Sequence, residues 1–434
     1  MNKGVSSRRV ASYAVMRVIR DRIPLETALS YQQDYASLDP RDRAFARLIT
    51  ATVFRRMGQI DAALAPFIKQ KISLFIRSVL RVGAAQLLYI ETPSHAAVSE
   101  TVNVVKLSHK DRHAANMVNA IMRRIVEEGR SLAAQTAPQA NIPPWIARRW
   151  DKSYGKRMSA RIALSLTQAP PLDLTMKSGA AAPIYTQDND EALTSTFLPP
   201  ATVRLTEAGQ ITRLSGYEAG KWWIQDIAAT LPVHFMGEIK DKTVLDMCAA
   251  PGGKTLQLAA HGANVTALDK SETRLLRLKE NLKRTHLEAK VICSDALTWD
   301  NEDKFDIVLL DAPCSATGTL RRNPDVLWNR RPEDIDSLTK LQDKLLMRAA
   351  HHVKPGGDII FCTCSLQNEE GAPRISAFLE KMPDFRLNPL LIENVLELDQ
   401  YLSTEGYFRS FPHFLADYGG MDGFFIAKLT RKQA

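Results

Sequence analysis

No cysteine occurs in the first 247 residues of this 434-residue chain, and all five it has fall between Cys248 and Cys364. An odd count confined to one half excludes the disulfide framework of a small secreted domain and points to a reducing cytoplasm. A zinc set is missing too. Only Cys362 and Cys364 are close in sequence, no histidine joins them at ligand spacing, and the adjacent His351 and His352 cannot both face one side of a helix, so no metal is expected. No apolar run approaches the roughly 18 residues of a membrane span, and the basic opening MNKGVSSRRV has no apolar core of a secretory signal. The glycine-rich turn near residue 250 has neither G-x-G-x-x-G nor GxxxxGK[ST] spacing, which argues against NAD and ATP.

What the chain does have is unevenly placed. Residues 1–150 hold 23 Lys and Arg against 11 Asp and Glu, and the remainder 34 against 37, so the net charge of +9 belongs to the first third. Eighteen of those 23 are arginines, whose forked guanidinium suits phosphate, and the partner expected is nucleic acid. A merely solvated basic surface is the plain alternative. The length allows two or three domains, each with its own core. Residues 1–130 read as a helical bundle. Ala11, Ala14, Val15, Val18 and Ile19 form one stripe, and Phe45, Leu48, Ile49 and Val53 another. Arginine pairs (Arg8-Arg9, Arg55-Arg56, Arg123-Arg124) are expected on its outer faces. Residues 131–144, rich in Ala and Pro, read as a linker, and residues 145–220 as a small α+β subdomain with strands at Leu172–Met176 and Thr202–Leu205.

From residue 221 to the end the pattern becomes strand, turn, helix. Thr243, Val244 and Leu245 lead through Asp246 into Cys248, Ala249, Ala250, Pro251, Gly252, Gly253 and Lys254: a buried parallel strand, a tight turn that lets a ligand approach the backbone, and a helix start. Three more strands end in acids, at Asp269, Asp295 and Asp311, on the edge where an open α/β sheet binds ligands. A site with several carboxylates and no phosphate cradle suits a ligand with a ribose, an amino group or a positive charge, and S-adenosyl-L-methionine has all three. A fifth strand, Gly357 to Phe361, runs into Cys362–Ser365, and a last, Phe424 to Leu429, is expected antiparallel beside it.

The stretches CAAPGGK, DAPCSATG with the following RRNPDVLW, and TCS together resemble the RNA cytosine-5 methyltransferases, in particular the RsmB (Sun/Fmu) type that modifies 16S ribosomal RNA. WWIQD at Trp222–Asp226 and the GMDGFF ending are similar as well, so the likeness covers about 221–429. The helical part resembles the NusB-type RNA-binding module, most clearly at SHAAVSETVNVVK and NMVNAIMRRI. The resemblance implies a doubly wound Rossmann-like methyltransferase sheet with an N-terminal all-α bundle and a small α+β subdomain between them. It implies S-adenosyl-L-methionine as cofactor, 16S ribosomal RNA as partner, no membrane and no metal; the chain is read as a monomer. Relatives tend to carry Arg and Asn after the PPL motif where this chain has Met176-Lys177, so no base contact is expected there.

Carbon 5 of cytosine does not attack a sulfonium unaided; a thiolate added at carbon 6 makes it enamine-like. Two cysteines lie just past strand ends, Cys314 and Cys364. The Pro-Cys of DNA cytosine methyltransferases points to Cys314 as nucleophile, whereas the RNA family implies Cys364, with Cys314 assisting product release. Asp311 is expected to hold the target base as well as to line the cofactor pocket. Cys248 to Lys254 are expected at the methionine end, Asp269 at the ribose hydroxyls and Asp295 near the adenine. Cys248 and Cys293 read as small buried residues rather than reagents, and Cys362 as structural. Arg321, Arg322, Arg330 and Arg331 around Trp328 fit either phosphate contact with base stacking or solvated charge with a core Trp. A tRNA cytosine-5 methyltransferase and a non-enzymatic RNA-binding protein are the alternatives.

Overall fold

Apolar stripes three and four residues apart produce the helical half of the computed structural model, which describes residues 3–186, 189–391 and 398–433. The chain divides into two units. One comprises 1–169 and 320–331, the other 170–319 and 332–434.

In the first unit, α1 (Lys3–Asp21), α2 (Leu25–Ser30), α3 (Gln33–Ser37), α4 (Pro40–Leu64), α5 (Leu74–Tyr89), α6 (Ser94–Lys106) and α7 (Ala115–Ala134) enclose one core. Ala11, Ala14, Val15 and Val18 are fully buried, as are Ile49 and Val53, but Leu48 falls off the stripe and is 49% exposed. Asp39 caps α4 by accepting from the Asp42 amide at 2.9 Å, with Pro40 in the first turn. Two expectations fail here. Of the three arginine pairs only Arg123-Arg124 is fully exposed. Arg8 is buried and donates to the Gln86 Oε1 at 2.7 Å, while burial, helped by Arg56 and Arg321, pushes the Arg55 guanidinium down to about 10.

The stretch 131–144 is not a free linker. The Asn141 Oδ1 accepts from the Gln59 amide at 3.0 Å and its Nδ2 donates to the Gln59 Oε1 at 2.9 Å; the Gln59 Nε2 donates to the Thr136 carbonyl at 3.0 Å. A Cβ on Gly58 would lie 1.8 Å from the Ala140 oxygen, so α4 and this stretch touch backbone to backbone. Helices α8 (Pro144–Tyr154) and α9 (Lys156–Ser165) continue the same unit, and the division falls after residue 169 rather than at 130–145.

Leu320–Arg331, read from sequence as a basic and aromatic neighbour of Cys314, belongs to the helical unit. The Trp328 indole packs on its core and donates to the Phe54 carbonyl at 3.0 Å. Asp325 accepts from the Leu25 amide at 3.0 Å, satisfying an otherwise orphaned donor at the start of α2. The Arg321 side chain is buried, and its carbonyl accepts from the Arg55 Nη2 at 2.6 Å. A tryptophan committed to a core is no stacking platform, so the core reading holds for Trp328.

The second unit opens with a four-stranded antiparallel sheet in the order β4 (Ser195–Leu198), β5 (Thr202–Leu205), β1 (Leu172–Met176), β6 (Trp222–Ile224), with a small hairpin β2 (Tyr185–Thr186) and β3 (Asn189–Ala192). It is no separate subdomain ending at residue 220, because both members of a buried ion pair inside it are also bonded to the main body. Arg204 donates to both oxygens of Asp173 at 2.6 and 2.7 Å, and its Nη1 donates to the carbonyls of Tyr418 and Gly420. The Asp173 Oδ2 also accepts from the Ile227 amide at 3.0 Å. Lys177 donates to the Thr285 carbonyl at 2.6 Å, a helix C-terminal cap.

The main sheet runs β12 (Phe385–Asn388), β14 (Phe425–Arg431), β11 (Val353–Thr363), β10 (Phe305–Asp311), β7 (Thr243–Met247), β8 (Asn264–Asp269), β9 (Lys290–Cys293), with β13 (Phe408–Arg409) pairing with β14. Strands β7 to β11 are mutually parallel, and β14 is antiparallel to β11, as expected for the last strand. Helices α10 (Ile227–His234), α11 (Gly253–Ala260), α12 (Glu272–Thr285), α13 (Pro332–His352) and α14 (Ala372–Lys381) complete the unit. Chain order reverses between β7 and β10, the switch point where such sheets open a crevice at their carboxyl edge. Register places Asp311 opposite Cys362, and Asp269 opposite Cys293, on that edge.

Candidate active site

Both candidate cysteines sit one loop past neighbouring parallel strands, β10 and β11, and their sulfurs are 3.4 Å apart. The hydrogen bond to Cys364, reinforced by burial, holds the Cys314 thiol well above the ordinary range. Three motif loops are knitted together at one glycine. The Gly318 amide donates to the Cys364 carbonyl, and the Gly423 amide to the Gly318 carbonyl, each at 2.9 Å. A Cβ at residue 318 would lie 1.8 Å from the Gly423 oxygen, so only glycine fits.

Lys254, at the start of α11, donates to the Asp311 Oδ2 at 2.7 Å. Burial by itself would lower this ammonium, but Asp311, with Cys362 and Cys364 nearby, raises it above an ordinary lysine. Cys362 is fully buried, its thiol 3.6 Å from the Asp311 Oδ1 and pushed up by burial and by Asp311. The structural reading of Cys362 agrees with this placement. Cys293, expected buried, is exposed because β9 is the edge strand.

The loop between β7 and α11 turns sharply at Cys248, whose φ is +63°, and at Gly252, whose φ is +108°. A Cβ on Gly252 would be 2.2 Å from the Leu278 Cδ1. Burial, with Asp269 and Asp311 near, pushes the Cys248 thiol up to about 12, so it is no reagent at neutral pH. Asp269 uses both oxygens on this edge: Oδ2 accepts from the Ala250 amide at 3.1 Å and Oδ1 from the Ser271 amide at 2.9 Å. Asp295 is exposed and accepts from the Leu297 amide at 2.9 Å.

Asp246 is fully buried. Its Oδ2 accepts from the Thr255 hydroxyl at 2.6 Å, its Oδ1 has no hydrogen-bond partner among the described residues, and burial raises its pKa to about 7. An orphaned buried acceptor at the head of a glycine turn fits a ligand that brings an ammonium group, and the carboxylates beyond it fit a ribose and an amine. S-adenosyl-L-methionine meets these requirements. Among the described residues no cluster of His, Cys, Asp and Glu fit for a metal occurs.

One residue that motif reading passed over organises both cysteines. Glu370, fully buried, accepts from the Ser315 amide at 2.9 Å and hydroxyl at 2.5 Å, from the Ser365 hydroxyl at 2.5 Å, and from the Gln342 Nε2 at 3.0 Å. The signal in the sequence is the repeated Cys-Ser, at 314–315 and 364–365, whose two serines converge on this one carboxyl group. Glu370→Gln replaces an acceptor with a donor facing donors. We expect kcat to fall by ~10²-fold, the loss that misplaced reacting groups produce, with cofactor affinity retained by calorimetry. An unchanged kcat would show that Glu370 does not position the cysteines.

An α/β sheet in this order, with a cofactor-type turn after β7 and a reactive site at the ends of β10 and β11, defines a Rossmann-like methyltransferase. Residues 235–430 match the family model described as 16S rRNA methyltransferase RsmB/F, and residues 5–127 match the NusB family. Over 452 aligned residues the chain is 31% identical to the ribosomal RNA small subunit methyltransferase B of Cronobacter sakazakii, covering 100% of both chains. The enzyme of the same name from Citrobacter koseri is 33% identical over 98% of this chain and 99% of its own. The crystal structure of PH0851 has the same fold, with a TM-score of 0.76 and 23% identity over 98% of each chain. The chain belongs to the RsmB/F family of 16S rRNA methyltransferases, with a NusB-family domain before the catalytic sheet.

Proposed function

We propose that this protein transfers a methyl group from S-adenosyl-L-methionine to carbon 5 of a cytosine in 16S ribosomal RNA. The observation that carries the reading is the pair of sulfurs 3.4 Å apart on two adjacent strand ends, beside the Lys254–Asp311 ion pair. The Cys364 thiolate adds to carbon 6 of the cytosine, and Asp311, held by Lys254, steadies the ring nitrogen and the exocyclic amine as charge moves onto the base. The cofactor, when bound, supplies an electrophilic methyl group to carbon 5. The carbon-5 proton passes to solvent water, and Cys314, whose sulfur lies 3.4 Å from that of Cys364, assists release of the product. The double bond between carbons 5 and 6 then re-forms and Cys364 leaves as thiolate. A base in a helix must leave its stack to meet these groups.

Bisulfite sequencing of RNA from a strain without the gene tests enzyme, base and position together. The expected result is the loss of one protected cytosine in 16S ribosomal RNA, restored by the intact gene. Loss of a protected cytosine in tRNA instead would reassign the substrate, and no change in any RNA would overturn the reading.

A further inference from the structure

The proposed mechanism uses Cys364 and Cys314 in turn, but the structure holds them as a pair. Strands β10 and β11 run parallel with Asp311 opposite Cys362, so the two cysteines leave adjacent strand ends. Their sulfurs are 3.4 Å apart, and a disulfide needs about 2.05 Å, which leaves about 1.4 Å to be closed by side-chain rotation. The loops that carry them are fixed to one another: the Gly318 amide donates to the Cys364 carbonyl at 2.9 Å, and Ser315 and Ser365 share Glu370. Both thiols are partly exposed, so a small reagent can reach them. The other three cysteines are placed differently. Cys362 is fully buried against Asp311, Cys248 lies in the glycine turn after β7, and Cys293 stands on the edge strand β9. Among the described residues no other two sulfurs meet.

We infer that Cys314 and Cys364 form a site of reversible oxidative modification, where a hydroperoxide joins them in a disulfide that halts methyl transfer and spares the nucleophile from irreversible oxidation. The Cys364 thiolate attacks one oxygen of hydrogen peroxide. The O–O bond breaks, Cys364 becomes a sulfenic acid, and hydroxide leaves to take up the proton that Cys364 had lost. The Cys314 sulfur then attacks the Cys364 sulfur, the S–O bond breaks, and the hydroxyl departs as water with the Cys314 proton. The two thiols have given two electrons to the peroxide, and its two oxygens have become water. The hydrogen bond to Cys364 is the first cause of the tightly held Cys314 proton, and that hold weakens once the partner sulfur is oxidised. A sulfenic acid with no thiol beside it goes on to a sulfinic acid, which ordinary thiols do not reverse; a neighbour at 3.4 Å captures it first. A dithiol reductant restores both cysteines by exchange. The halt in methyl transfer rests on the proposed function, because the disulfide consumes its nucleophile; formation of the disulfide does not.

The test exposes the full reduced chain to a few equivalents of hydrogen peroxide, blocks the remaining thiols by alkylation and digests the protein without reductant. The expected product is a cross-linked pair of peptides holding residues 314 and 364, from a protein two hydrogen atoms lighter before alkylation. Methyl transfer to 16S ribosomal RNA should fall roughly tenfold or more, and dithiothreitol should return it to within about twofold of the untreated rate. In Cys314→Ser the nucleophile has no thiol beside it, and its peptide should reach the sulfinic or sulfonic state, which dithiothreitol does not reverse. Cys293→Ser, on the exposed edge strand, should leave both the cross-link and the recovery as in the wild type. Circular dichroism checks the fold of each variant. A cross-link through any other cysteine, a loss of activity that dithiothreitol fails to restore, or Cys364 as heavily oxygenated in the wild type as in Cys314→Ser would overturn the inference. The cross-link is read from mass alone. Its absence from a protein that methylates RNA defeats this inference by itself, whereas a cross-link in a protein that methylates no RNA defeats the proposed function and leaves the modification site standing.

Discussion

Cys364→Ala abolishes methyl transfer, and Cys314→Ala instead accumulates protein covalently joined to RNA: these are the opposite outcomes expected from two thiols 3.4 Å apart. Without Cys364 no bond forms at carbon 6, carbon 5 stays unreactive, and the loss should reach the detection limit of a tritium-transfer assay. Without Cys314 the bond forms and methylation proceeds, but the adduct does not collapse, and a band shifted by the RNA should survive denaturing electrophoresis. If Cys314→Ala were the inert variant and Cys364→Ala the trapped one, the two roles would be exchanged. If both retained activity, covalent catalysis would be excluded. Geometry alone does not rank the sulfurs, since each lies at the end of a parallel strand and each loop is anchored on Glu370; the assignment comes from the motif around Cys364.

Arg204→Met should destabilise the methyltransferase unit by about 3–5 kcal/mol, the cost of leaving a buried charge without its partner. Arg204 and Asp173 are both almost fully buried, and the guanidinium also holds the carbonyls of Tyr418 and Gly420. Burial already raises the Asp173 pKa against the lowering effect of Arg204, so removing the arginine leaves the desolvation cost opposed only by the Ile227 amide. Chemical denaturation monitored by tryptophan fluorescence measures the loss. Replacing both partners with apolar residues, Asp173→Leu/Arg204→Met, should recover part of it. Equal destabilisation by the single and double variants would show that packing rather than charge is at stake.

Much of the catalytic half was legible because its information is local. A parallel strand buried on both faces is a short apolar run, and a run that ends in Asp marks the ligand edge, so β8 and β10 were readable to within a residue. The motif residues Cys364, Cys314, Asp311 and Lys254 all converge on one edge of the sheet. Glu370 escaped notice because its partners, Ser315, Ser365 and Gln342, come together only when β10, β11 and α13 pack. Charge misled for a related reason. Arginine counts are a property of composition, and nothing in Arg8-Arg9 or Arg55-Arg56 says that Gln86 or the Arg321 carbonyl will take up a guanidinium inside the bundle.

Sequence by itself determined the element types, the order of motifs and the family, because strand period, helix period and turn chemistry are written within a few residues of one another. Tertiary structure decided which segments share a core. It gave 131–169 and 320–331 to the helices and 170–220 to the sheet, through Gln59 with Asn141, Trp328 with Phe54 and Arg204 with Gly420, pairs separated by 82, 274 and 216 residues. Hydrogen bonds and ion pairs over such separations form between surfaces brought together by burial, and no local pattern in the chain encodes them.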